Sequence, residues 1–181
     1  MPTAAIATDA DLDAIAALVN SAYRGESSRA GWTTEADYLD GQRTDPERLR
    51  AELAAKPGAV LLTLRDDDGT LIGSVWLEPR GVDAWYLGMF TIRPDLQSRG
   101  LGRMLLDEAE RFARARGARR MQMTVIQLRA PLIGWYERCG FRATGETVPF
   151  PYGDERSGIP LRDDLQLLLF EKGLDDPATD G

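Results

Sequence analysis

A strand, a glycine-bearing turn and a helix follow one another between residues 85 and 116, and this succession constrains the chain more than any other feature. Trp85-Tyr86-Leu87-Gly88-Met89-Phe90-Thr91-Ile92 is an apolar run of strand length. Gln97-Ser98-Arg99-Gly100-Leu101-Gly102-Arg103 then opens a stretch in which Leu101, Leu105, Ala109 and Phe112 recur at helical spacing, closed by Gly117. The first N–H groups of a helix have no partner inside it, and the aligned peptide dipoles place about half a positive charge there. Glycine lacks a Cβ, so an anion can approach the backbone closely. Residues 97–103 are therefore expected to cradle a phosphate-bearing ligand. The dinucleotide pattern G-x-G-x-x-G fails at its third glycine, where Leu105 stands, and no G-x-x-x-x-G-K-[ST] occurs.

The rest of the chain alternates in the same way. Thr3–Thr8, Val60–Arg65, Leu71–Leu77, Met121–Ile126, Phe141–Thr147 and Leu165–Glu171 read as strands. Asp66-Asp67-Asp68-Gly69 reads as a hairpin turn. Leu12, Ile15, Ala16, Val19, Ala22 and Tyr23 mark a helix that Thr8 or Asp9 can cap and that ends near Gly25. A short helix is expected to start at Thr34. Pro46 is suited to the first position of another, which Pro57-Gly58 stops. Leu132–Arg138 reads as the last helix. Strands interleaved with helices predict an α/β fold with a mixed sheet of six to seven strands and helices on both faces. Residues 1–174 are expected to form one domain and 175–181 a disordered tail.

Composition removes several functions. The chain has no histidine, so a histidine base and a typical zinc site are excluded, and no metal is expected. Cys139 is the single cysteine; nothing at hand activates it as a nucleophile, and a structural role is expected. A net charge of −7 argues against nucleic-acid binding, which needs a basic surface, and leaves room for a cationic amine partner or simple solubility. No apolar run is long enough for a membrane span and the start of the chain has no leader pattern, so a cytoplasmic protein, monomer or homodimer, is expected.

The turn fits Q/R-x-x-G-x-G/A, the pyrophosphate signature of the GNAT acyltransferases. Ile92-Arg93-Pro94 precedes it at that family's spacing, and Trp135-Tyr136-Glu137-Arg138-Cys139-Gly140-Phe141 resembles its Y-E-x-x-G-F segment. The matched blocks span about residues 72–145. Arg129–Arg138 and Thr144–Tyr152, with Pro149-Phe150-Pro151, further resemble a bacterial subgroup of unassigned substrate.

The resemblance implies an N-acetyltransferase that carries an acetyl group from acetyl-CoA to a primary amine on a small molecule or peptide. It implies that the fourth and fifth strands splay and that the cofactor's pantetheine arm lies between them. Gly88 is the expected place of a bulge in the fourth strand. Backbone groups of Phe90, Thr91 and Ile92 would pair with the pantetheine amides, and Gln97, Ser98, Arg99, Gly100, Leu101, Gly102 and Arg103 would take the pyrophosphate. Tyr136 matches the family tyrosine that protonates the departing thiolate; the alternative is a half-buried helix aromatic.

Two departures from the family stand out. Tyr86 occupies the position of the catalytic glutamate used by some members, leaving Glu78, acting through water, or Glu35 as candidate bases, or no dedicated base. Arg129 replaces a common asparagine and would reach a phosphate, a ribose or an acceptor carboxylate. Acceptor recognition is expected at Trp32, Thr33 and Glu35 and in the 149–163 connection. A non-catalytic acyl-CoA-binding module of the same fold is the other reading. A nucleotide-binding domain is opposed by the missing glycine and lysine.

Overall fold

The computed structural model describes residues 1–155 and 158–174, so the tail expected at 175–181 lies outside the described residues. In chain order the elements are β1 (Thr3–Ile6), α1 (Leu12–Tyr23), α2 (Gly25–Ser28), β2 (Leu39–Asp40), α3 (Pro46–Ala55), β3 (Val60–Arg65), β4 (Leu71–Arg80), β5 (Ala84–Ile92), α4 (Leu101–Arg114), β6 (Arg120–Ile126), α5 (Ala130–Arg138), β7 (Arg142–Pro149), β8 (Ile159–Pro160) and β9 (Gln166–Gly173). Seven strands make one sheet in the order β1-β3-β4-β5-β6-β9-β7, and β2 and β8 form a separate two-stranded piece. Among the described residues, only β5 and β6 run parallel, and the other neighbouring pairs of the sheet are antiparallel.

The period-2 alternation of the strands divides the core between two faces. Leu62 and Leu64 of β3 face Leu105, Leu106, Ala109 and Ala113 of α4 and Phe141. Leu61 points the other way with Trp76, against Leu12, Ile15, Ala16 and Val19 of α1 and Leu49 of α3. Each fully buried leucine here contributes about 2 kcal/mol. Asp45 caps α3 by accepting from the Arg48 N–H at 2.8 Å, with Pro46 following at the first helical position. The segment expected to start a helix at Thr34 is a turn, because the Thr34 hydroxyl is taken by Ser28 and by the Ala36 N–H. The short helix of this region is α2, at Gly25–Ser28.

What positions the site is the behaviour of β5. It pairs with β6 only at Ala84–Arg120, Trp85–Met121 and Tyr86–Gln122. Past Tyr86 the two strands part, as the resemblance implied for the fourth and fifth strands of the sheet. On the other side, the register with β4 jumps from Trp76–Gly88 to Ser74–Thr91, so β5 has one residue more than its partner. The bulge is centred on Met89, whose φ is +46°, one residue beyond the expected Gly88.

Candidate functional site

Beyond Tyr86, the open edge of β5 and the turn before α4 face helix α5 across a cleft of about 470 Å³. Phe90, Ile92, Gln97, Ser98, Gly100, Gly102 and Arg103 form one wall, and Pro131, Leu132, Trp135, Tyr136 and Arg138 the other, with Trp32 and Thr33 at its side. A second cavity of about 230 Å³ lies around the bulge, lined by Tyr86–Phe90 of β5, Met123–Ile126 of β6, Arg24, Glu35, Arg43, Arg129, Phe150, Pro151 and Asp154. Tyr23, Phe90, Leu132 and Tyr136 line both.

The turn before α4 has the shape of an anion cradle. Ser98 and Gly100 have φ of +65° and +81°, and Met104 is the first residue whose N–H bonds back into the turn, to Gly100 O at 3.1 Å. The N–H groups from Ser98 to Arg103 have no partner among the described residues. Turn conformations of this kind gather such groups on one concave side. Gly102 is needed for contact: a Cβ there would lie 3.3 Å from the Trp135 ring.

Gln97 enters differently from what the turn pattern suggested. Its N–H bonds Pro94 O at 3.5 Å, and its side chain is a three-way tie, accepting from Trp32 N at 2.8 Å and donating to Thr33 Oγ1 at 2.7 Å and Ile92 O at 3.0 Å. Arg103 lines the cleft while bonded to Asp107, whereas Arg99 is exposed outside the lining. Leu101 turns its side chain into the core and leaves its N–H to the turn.

Of the three residues expected along the pantetheine, two line the cleft. The Arg93 N–H bonds Ile72 O, so the ladder's alternation makes Thr91–Ser74 the next bonded pair and turns Ile92 toward the open edge. Thr91 is buried on the β4 side, with its hydroxyl on Met89 O. The Phe90 carbonyl accepts from the Tyr23 hydroxyl at 2.5 Å, and that of Ile92 from Gln97.

Helix α5 delivers Tyr136. Leu132, Trp135, Tyr136 and Cys139 recur at helical spacing and turn one face to the cleft and core. Trp135 packs edge-on to Tyr136 with ring centres 5.0 Å apart, and Phe90 and Phe141 complete the aromatic surround. The Tyr136 side chain is 4% exposed, and its hydroxyl has no hydrogen-bond partner among the described residues. Burial, reinforced by the neighbouring Tyr23 phenol, pushes its pKa well above the usual tyrosine value, so it is a phenol at any physiological pH. Burial also raises the Cys139 thiol, which favours the unreactive form.

The two carboxylates considered as bases are committed elsewhere. Glu35 is buried between two arginines, with Arg24 Nη1 at 2.7 Å and Arg129 Nη1 at 3.1 Å. Burial alone would raise its pKa, but Arg129 and Arg24 outweigh that and hold it below the usual carboxylate range. Glu78 lines neither cavity; Trp76 Nε1 at 3.0 Å, Lys56 at 3.1 Å and Arg80 at 3.6 Å hold it on the α3 side. Tyr86 does face the second cavity, with its hydroxyl 3.1 Å from Thr124 Oγ1.

Arg129 lines the second cavity, and its fork donates to Glu35 and the Thr33 carbonyl, which braces the 31–35 segment. Trp32 and Thr33, expected at the acceptor, line the first cleft, with Trp32 against Trp135 at 6.4 Å. Tyr23, Arg24 and Arg43 were not singled out from the sequence. The sole local signal was an aromatic and a base ending α1 before Gly25.

Residues 15–141 match the acetyltransferase (GNAT) family. A mycothiol acetyltransferase from Acidothermus cellulolyticus is 30% identical over 164 residues, which is 82% of this chain and 47% of that protein. The chain spans less than half the length of the curated relatives it matches. Among solved structures, a nourseothricin acetyltransferase is 28% identical over 66% of this chain and 67% of its own, with a TM-score of 0.56. The yncA protein from Salmonella typhimurium, solved with its cofactor acetyl-CoA, has a TM-score of 0.69 at 23% identity over 100% of this chain and 98% of its own.

Proposed function

The chain belongs to the GNAT acetyltransferase family, and on that premise we propose that it transfers an acetyl group from acetyl-CoA to a primary amine, with Tyr136 as the acid. The observation that carries this reading is the place of Tyr136: its unpartnered hydroxyl belongs to a residue lining both the phosphate-side cleft and the second cavity. The pyrophosphate meets the N–H groups of Ser98 to Arg103. The pantetheine runs along the open edge at Phe90 and Ile92, and the thioester reaches the wall that the two cavities share.

The amine attacks the thioester carbonyl carbon as a neutral nucleophile. The C–S bond then breaks and the thiolate takes the Tyr136 proton. The proton lost by the amine leaves through water, and solvent reprotonates the phenol. This reading needs no dedicated base: Glu35 is held by two arginines, and Glu78 lies outside the lining of both cavities. An amine of pKa about 9 is already on the order of 1% neutral at pH 7. Arginines around the second cavity lower that pKa further, because like charge disfavours the ammonium form.

The test has two parts. A thermal shift series with acetyl-CoA, CoA, NAD and ATP should show stabilisation by the first two only. Thiol release from acetyl-CoA should then depend on added amine. Stabilisation by NAD or ATP but not CoA would overturn the cofactor assignment. Tight acetyl-CoA binding with no amine-dependent release across a broad panel would point to a binding module.

A further inference from the structure

The second cavity has more positive than negative side chains around it. Arg24, Arg43 and Arg129 face Glu35 and Asp154. Arg24 and Arg129 share the single carboxylate of Glu35. The guanidinium of Arg43, by contrast, makes no hydrogen bond or ion pair among the described residues. Its backbone is nevertheless fixed. Asn20 Oδ1 accepts from Arg43 N at 2.7 Å and Thr44 N at 3.2 Å, while Asn20 Nδ2 donates to Thr44 O at 2.9 Å. Arg43 is half-buried on an anchored backbone and lines the cavity, and the carboxylate whose charge it feels, Glu35, is already bonded to Arg24 and Arg129; such a guanidinium is suited to a charge-assisted bond with an anion entering that cavity.

We propose that Arg43 determines acceptor specificity by binding an anionic group, a carboxylate or phosphonate, carried a few bonds from the attacking amine. This rests on the acetyl-transfer reading and names the class of acceptor for it. A simple alkylamine or diamine would enter a cavity with surplus positive charge and bring more. An amino acid or aminophosphonate brings its own counter-charge, which pairs with Arg43 while the amine points to the wall at Tyr136. Size agrees: at about 30 Å³ per water, the 230 Å³ cavity holds a molecule of amino-acid dimensions.

The experiment uses matched acceptors: α-, β- and γ-amino carboxylates and aminoalkylphosphonates, each beside its uncharged amide or diester. Thiol release at saturating acetyl-CoA gives kcat and KM for every member. Calorimetry on the CoA-saturated protein with the N-acetylated forms gives binding where turnover is absent. In the wild type the best acceptor should be anionic and exceed its neutral counterpart about a hundredfold in kcat/KM. Arg43→Gln should cut that ratio at least about tenfold, chiefly through KM, and Arg43→Lys should restore part of it. The carboxylate and phosphonate arms tell which anion is preferred. Acetyl-CoA affinity, measured separately, should be the same in all three proteins, and its absence in the wild type would instead condemn the transfer reading. The proposal is overturned if neutral members are equal or better, if no anionic member reacts or binds, or if Arg43→Gln keeps the wild-type ratio.

Discussion

Replacing Glu35 by Gln removes the one carboxylate between two buried guanidiniums. The side chains of Arg24, Glu35 and Arg129 are 5%, 11% and 7% exposed, so bulk solvent screens the pairing weakly. Breaking a buried pair by deleting one partner costs about 3–5 kcal/mol. In a chain of this size each kcal/mol moves Tm by about 2–4 °C, so a fall of roughly 6–20 °C is expected. Glu35→Ala should fall further, since Gln keeps an acceptor oxygen. The pH dependence has a definite sign. Glu35 ionises more readily in the folded protein than its ordinary value of 4.5. Its contribution is therefore complete above that value and is lost as pH drops through the lower folded pKa. Urea denaturation of wild type and Glu35→Gln across this range should show a wide gap at neutral pH that closes in acid. Equal midpoints at neutral pH would refute the counter-ion role. So would a folded Glu35→Gln protein whose lost turnover returns at high pH, the behaviour of a missing base.

Tyr136→Phe should keep acetyl-CoA affinity and lower kcat roughly a hundredfold in single-turnover measurements, where chemistry is isolated from product release. Gly102→Val should weaken acetyl-CoA binding at least about tenfold, or 1.4 kcal/mol, by calorimetry, because its side chain crowds the Trp135 and Phe90 rings that line the cleft. Gly100→Val is the poorer probe: at a φ of +81° it strains the backbone whatever binds there. Glu78→Gln should leave the pH–rate profile at wild type, and the rate should rise with the ionisation of the acceptor amine itself.

The parts of this molecule written in local spacing were readable before the structure. The strand, turn and helix around Gln97–Gly102 depend on neighbours within a few residues, and so does the face of α5 that presents Tyr136. The bulge was misplaced by one residue, at Gly88 rather than Met89, because glycine signals permissiveness and the register with β4 decides where the extra residue falls. The roles of Glu35 and Arg129 were not legible at all. Their contact joins residues 94 apart, and a carboxylate reads the same in sequence whether it meets water or two guanidiniums. Tyr23 likewise meets the Phe90 carbonyl across 67 residues. Gln97 was read only for its backbone N–H in the turn; the tie its side-chain amide makes to Trp32 and Thr33 reaches 65 and 64 residues back along the chain.

On the acetyl-transfer reading, the cleft beside β5 holds acetyl-CoA and hands its acetyl group to an amine at Tyr136. The most direct measurement follows both products of one reaction: free thiol by absorbance and the acetylated amine by mass spectrometry, for wild type and Tyr136→Phe. One amide should form for each thiol released in the wild type, and both should fall together in the variant while acetyl-CoA still binds. Thiol release without amide, or a variant as fast as the wild type when chemistry limits the rate, would contradict it.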